Sequence, residues 1–101
     1  MSNEAVFVVV EIVEVKDAEL LKTYQAGARA QVAGFGGTVI GRGATTFEGE
    51  PEFAMLMIQN WPNEAAFRNW QDSDTYRPLR HMRERAVVMR IGIVPAFTPA
   101  A

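Results

Sequence analysis

An α+β fold of order β-α-β-β-α-β, with an antiparallel four-stranded sheet and its helices on one face, is the architecture this sequence predicts. Three observations lead there. Two strand-like runs, Val6 to Val13 and Phe53 to Ile58, carry apolar residues on both faces, a pattern that requires cover on each side of the sheet. Helical periodicity appears in two places only, after the first of these runs and after the second. The chain has 101 residues, one domain's worth, with a core expected from about 5 to 97. Too few elements remain to cover both faces, so a second copy of the chain is expected on the face the helices leave open.

The elements follow in order. Val6, Val8, Val10 and Ile12 share one face of the first strand, and Phe7, Val9, Glu11 and Val13 the other. Asp17 is a good N-cap for a helix running through Ala33, with Leu20 or Leu21, Tyr24, Ala28 and Val32 at helical spacing. Gly34 stands where a left-handed C-cap belongs. Gly36-Gly37 opens a second strand through Phe47, rich in β-branched residues and interrupted by Gly41 and Gly43. Glycines inside a strand predict a bulge, a bend or the close approach of another group. Glu48 to Pro51 is a turn, and Phe53 to Asn60 returns as a strand. Pro62-Asn63 starts a second helix that buries Ala66, Phe67 and Trp70. Asp72-Ser73-Asp74 breaks it and starts a further helical piece from about Thr75 to Val88, with Pro78 tolerated in its first turn. Arg90 to Phe97 is the last strand. The order is ferredoxin-like, and in that topology the first and third strands are central; these are the two that are apolar on both faces.

Composition narrows the chemistry. With no cysteine, disulfides and thiolate metal sites are excluded, and one histidine, His81, excludes a His-rich zinc site. No run approaches the ~20 apolar residues of a membrane span, and Met1-Ser2-Asn3-Glu4 lacks the basic start of a signal peptide, so a cytoplasmic protein is expected. Net charge is −2 and the isoelectric point about 5.3, which argues against a nucleic-acid partner. The charge is unevenly placed: eleven of twelve acidic residues lie at or before Asp74, whereas Arg77, Arg80, Arg83, Arg85 and Arg90 follow it against Glu84 alone. Such an end either pairs with the acidic remainder or holds an anion.

Particular residues carry candidate chemistry. Arg42 lies in a strand between two glycines, which permit close approach of a ligand. Its guanidinium meets either a carboxylate (Glu11, Glu48 or a second subunit's acid) or a bound anion. His81 is the one side chain whose ordinary pKa suits proton transfer near neutrality. It lies four residues after Arg77 on one helix face, as a catalytic acid–base or as a surface residue. Tyr24, Trp61, Trp70 and Tyr76 are candidates to line a pocket for an aromatic ligand, the hydroxyls orienting it. Tyr24 is the second catalytic candidate. Gly34-x-Gly36-Gly37 precedes a strand, so it is no phosphate loop. Ser73 reads as a cap, so a serine triad is unsupported.

Gly36-Gly37-Thr38-Val39-Ile40-Gly41-Arg42-Gly43 resembles the Gly-Gly-x-x-x-x-Arg-Gly segment of the family known as domain of unknown function 1330. Tyr24 matches a tyrosine common in that family's first helix. Pro62, Ala66, Trp70, Ser73, Tyr76, Pro78, Leu79 and Arg83 resemble its second block. The resemblance runs from about Val6 to Val94. It implies a dimeric α/β barrel, a homodimer whose subunits join their open sheet faces. It also brings Arg83 forward, as the family's second arginine, to hold an anion with Arg42. Relatives of that fold include cofactor-free monooxygenases of aromatic polyketides, muconolactone isomerases and haem-dependent enzymes; haem ligation by a histidine here would fall to His81. The chain departs from the family at Asn60-Trp61-Pro62-Asn63, where a Glu-Phe-Pro-Ser is usual, and at Gln71, often an aromatic.

The expectation is therefore a homodimeric protein, needing no cofactor and no metal, that binds a small anionic or aromatic molecule. Arg42 and Arg83 would hold its anionic group, Tyr24, Tyr76 and Trp61 its body. Isomerase-like or oxygenase-like catalysis is one outcome. A non-catalytic binding or assembly module with structural arginines is the alternative. The pocket is expected between sheet and helices or within the paired sheets.

Overall fold

The structure, a computed structural model, describes residues 4–97. Four strands, β1 (Val6–Val15), β2 (Thr38–Arg42), β3 (Met55–Trp61) and β4 (Val87–Pro95), form one sheet of order β2-β3-β1-β4, each neighbouring pair antiparallel. Helices α1 (Ala18–Gly34), α2 (Glu64–Gln71) and α3 (Arg77–Ala86) complete the expected order, the second helical segment being broken in two. This is the ferredoxin-like topology, with the two-sided apolar strands at its centre.

Register explains the two faces. Val8 opposes Gln59 and Ile93, and Val10 opposes Met57 and Ile91, all directed at the helices. There Val6 and Val8 bury against Leu21, Tyr24 and Val32 of α1, Phe67 and Trp70 of α2, and Leu79 and Ala86 of α3. Phe7, Val9, Leu56 and Ile58 occupy the opposite face, which no helix among the described residues covers, and Val94 is 48% exposed beside them. Glu11 and Arg90 pair across this face at 3.4 Å.

Local signals place the helix ends. Asp17 Oδ1 accepts from Leu20 N at 3.0 Å and Asn63 Oδ1 from Ala66 N at 2.8 Å, each relieving a donor that a helix start leaves unpaired. The left-handed residue after α1 is Gly36 (φ +102°), not Gly34, because the helix runs through Gly34 before it closes. Gly37 N donates to Val32 O at 2.9 Å and Gly36 N to Ala33 O at 3.2 Å, the paired bonds of a Schellman end. Helix α3 gives way to strand at Val87 rather than Val88; the β-branched pair Val87-Val88 joins the ladder against β1. Strand β2 ends at Arg42 instead of Phe47, since Gly43 turns at φ +91°, and β3 begins at Met55 because Phe53 N is taken by Thr46 Oγ1 at 2.7 Å within the loop.

Candidate functional site

Between the sheet and helices α1 and α2 lies a cavity of about 110 Å³. Val10, Met57 and Ile91 contribute to its floor, and Leu21, Ala28 and Phe67 to its roof. A 150 Å³ apolar cavity holds benzene, so this one suits a small ring whose remainder reaches past the rim.

Arg42 reaches this cavity through a bulge. The ladder pairs Val39 with Gln59 but Gly41 with Ile58, so Ile40 is the extra residue. Were Ile40 paired in regular register with Ile58, Arg42 would fall opposite Leu56 on the open face; because the bulge leaves Ile40 unmatched, Arg42 opposes Met57 on the helix side and lines the cavity. A bulge that re-aims a side chain in this way is a recurrent device. Arg29 of α1 lines the same cavity. Both arginines are exposed, and among the described residues neither pairs with a carboxylate. Glu11, considered as a partner for Arg42, serves Arg90 on the other face.

Deeper in stand two polar side chains. Gln59 is buried, and its Oε1 accepts from Trp61 Nε1 at 2.8 Å. An indole only donates, which fixes the amide orientation and leaves Nε2 with a weak sulfur acceptor, Met57 Sδ at 3.8 Å. Tyr24 also lines the cavity. Its hydroxyl lies 2.7 Å from that of Tyr76, which accepts from Arg83 Nη1 at 2.9 Å. Burial, reinforced by repulsion from the neighbouring Tyr76, raises the Tyr24 pKa well above its ordinary value, and Arg83 offsets this only in part. At neutral pH Tyr24 is therefore a protonated donor, not a base.

That shift has a sign. Above about pH 10 the unfolded chain loses this phenolic proton while the folded one keeps it, so its contribution to stability is full below that pH and declines above it. The stability difference between the wild type and Tyr24→Phe, read from urea denaturation at a series of pH values, is expected to narrow as pH rises past about 10. A difference that stays constant would contradict the burial of this hydroxyl.

The other candidates fall elsewhere. Tyr76 is wholly buried, 4.7 Å from Trp70 by ring centroids, and does not line the cavity. Arg83 is half-buried behind Tyr76, with its guanidinium carbon 5.8 Å from the ring centre. The cavity thus brings Arg42 together with Tyr24, and Arg83 connects to it only through the two hydroxyls. Trp61 is 0% exposed and does not line the cavity; its indole packs between β3 and α2, stacked on Trp70 at 5.6 Å. His81 is exposed on α3 and borders no part of the cavity. Sequence reasoning passed over Arg29 and Gln59. Arg29 follows Gln25 by four residues and precedes Val32 by three, on the stripe that faces the sheet; Gln59 interrupts the inward run Met57, Gln59, Trp61.

The chain matches no curated protein. Its fold is shared with several solved structures. A protein of unknown function from Rhodopseudomonas palustris, RPA0582, superposes with a TM-score of 0.80 at 18% identity, over 97% of this chain and 86% of that one. SnoaB, a cofactor-independent oxygenase from Streptomyces nogalater, gives 0.63 at 19% identity over 97% of each. PA3566 from Pseudomonas aeruginosa gives 0.61 at 15%, over 97% of this chain and 98% of that one. At these identities the likeness establishes the ferredoxin-like fold. Family membership rests on the sequence itself: the Gly-Gly-to-Arg-Gly segment and the tryptophan–tyrosine–arginine block both fall within residues 5–97, which the family's sequence model matches, and the chain belongs to the family described as domain of unknown function (DUF1330).

Proposed function

We propose that this protein is a homodimer that binds a small anionic molecule with an apolar or aromatic body, in the cavity between the sheet and helices α1 and α2. One observation carries the reading. Two arginines without carboxylate partners, Arg29 and Arg42, stand on the wall of an otherwise largely apolar cavity that holds buried donors. Guanidinium groups so placed bind a carboxylate or enolate, while the cavity takes the ring. Cofactor-free catalysis of the isomerase or oxygenase kind is supported by the fold shared with SnoaB, described as a cofactor-independent oxygenase. The alternative, binding without turnover, is favoured by a different fact: among the described residues no carboxylate or histidine lines the cavity, which gives it no strong proton acceptor from them.

The test is to incubate the purified protein with aromatic acids, lactones and quinols and to follow binding and product formation together. Arg42→Ala and Arg29→Ala are each expected to raise Kd by about tenfold, the scale of one charge-assisted hydrogen bond at a partly solvated site. Saturable turnover that these variants depress supports an enzyme, and binding without turnover supports a carrier or sensor. Ligands that bind wild type and both variants alike would remove the arginines from the site.

A further inference from the structure

We propose that Arg83 and Tyr76 are positioning residues that fix the direction of a hydrogen-bond chain, so that Tyr24 donates its proton into the cavity and selects ligands presenting a carbonyl-type acceptor oxygen. The inference rests on the cavity being a ligand site and goes on to name what that ligand must offer.

The argument is a count of protons. A guanidinium can only donate, so the bond from Arg83 Nη1 to the Tyr76 hydroxyl at 2.9 Å runs one way. The 2.7 Å contact between the two tyrosine hydroxyls has two possible directions. If Tyr24 donated, the Tyr76 oxygen would receive two donors, and its own proton would have no acceptor among the described residues. Tyr76 is 0% exposed and lies away from the cavity, so that orphan could reach neither water nor ligand, a costly state for a buried donor. If Tyr76 donates to Tyr24, the unassigned proton belongs to Tyr24, which borders the cavity and can spend it on water or a ligand. The second direction wins, and Arg83 enforces it.

Gln59 makes the same demand. Its carbonyl oxygen is held by Trp61 and its Nε2 has only the Met57 sulfur at 3.8 Å. Both buried polar groups of the cavity therefore offer protons. Gln25 and Gln71, part-exposed on the wall, can accept as well as donate, but the buried pair only donates, which favours a ketone, ester or quinone oxygen at depth and gives nothing to an alkene of the same shape. With Arg29 and Arg42 on the cavity wall, the ligand class becomes a compact anionic aromatic or enone bearing a second, carbonyl oxygen remote from its charge.

The experiment uses the full chain and two isosteric probes, 4-acetylbenzoate and 4-isopropenylbenzoate, titrated by calorimetry. In the wild type the ketone is expected to bind about tenfold tighter than the alkene, the scale of one buried hydrogen bond. Tyr24→Phe should reduce that ratio to about one or two, Arg83→Met should reduce it although Tyr24 is intact, and Arg83→Lys should restore part of it. Tyr76→Phe, which keeps the ring packing and interrupts the chain, should also reduce it, so the test stands if Arg83→Met fails to fold. A loss of affinity for both probes equally in the Arg83 and Tyr76 variants would assign those residues a structural role and overturn the positioning claim. Equal binding of the two probes to wild type would overturn the inference and leave the cavity as a ligand site. Binding of neither would overturn both.

Discussion

Trp61→Ala is expected to cost about 3–5 kcal/mol of stability, the range for deleting a fully buried large aromatic. Four contacts make the indole hard to replace. It stacks on Trp70 at 5.6 Å with the planes 22° apart, meets Phe67 edge-on at 5.5 Å, and donates to Gln59 Oε1 at 2.8 Å. Its fourth neighbour is the backbone of Gly37, where an added Cβ would lie 2.5 Å from the ring; glycine is required there for space rather than for its dihedral freedom. Removing the side chain opens a void across three elements and strips a buried carbonyl of its donor, so relaxation recovers little. Against a typical total of about 5–15 kcal/mol, the variant should be near its unfolding threshold. Urea denaturation followed by far-ultraviolet circular dichroism measures it. Trp61→Phe, which keeps most of the packing and loses the donor, should fall between the two. A loss below about 1 kcal/mol for alanine would mean that this ring does not hold β3 and α2 together.

Val9→Asp is expected to convert the proposed dimer to a monomer with its secondary structure intact. Val9 sits mid-sheet on the open face, between Ile58 of β3 and Gly92 of β4, among the apolar side chains that a second copy would cover. An unpaired carboxylate sealed into such an interface costs several kcal/mol, while on a solvated monomer surface the same change stays within about 0.5 kcal/mol. Sedimentation equilibrium of the wild type and variant separates the two cases, and Val9→Thr should dissociate less. A wild type and variant of equal mass would show that this face does not join subunits.

Much of the fold was legible because its signals are local. Two-sided apolar strands, the Asp17 and Asn63 caps and the Asp-Ser-Asp break each state a physical requirement within a few residues. The errors fell at element ends, where one neighbour decides: Gly36 rather than Gly34 closes α1, and Gly43 stops β2 short. The site was less legible. Arg42 drew notice through its glycines, yet the bulge that turns it toward the helices becomes visible only in the pairing with β3. Arg83 was placed beside Arg42, but α3 packs on Tyr76 and presents it to a hydroxyl. Helix phase sets His81 apart from the cavity, since Leu79, Arg83 and Ala86 face inward and His81 faces out. Tyr24 and Tyr76 lie 52 positions apart, and no sequence spacing reveals that they share a proton.

The unmatched residue at Ile40 lets β2 absorb one residue of chain length without turning its arginine. Excising that one residue would leave a regular ladder, with Val39 opposite Gln59, Gly41 opposite Ile58 and Arg42 opposite Met57, so the cation would stay on the ligand wall. A single-codon deletion there should therefore spare recognition. Among relatives, chains that lack the unmatched residue should still aim this arginine at the helices.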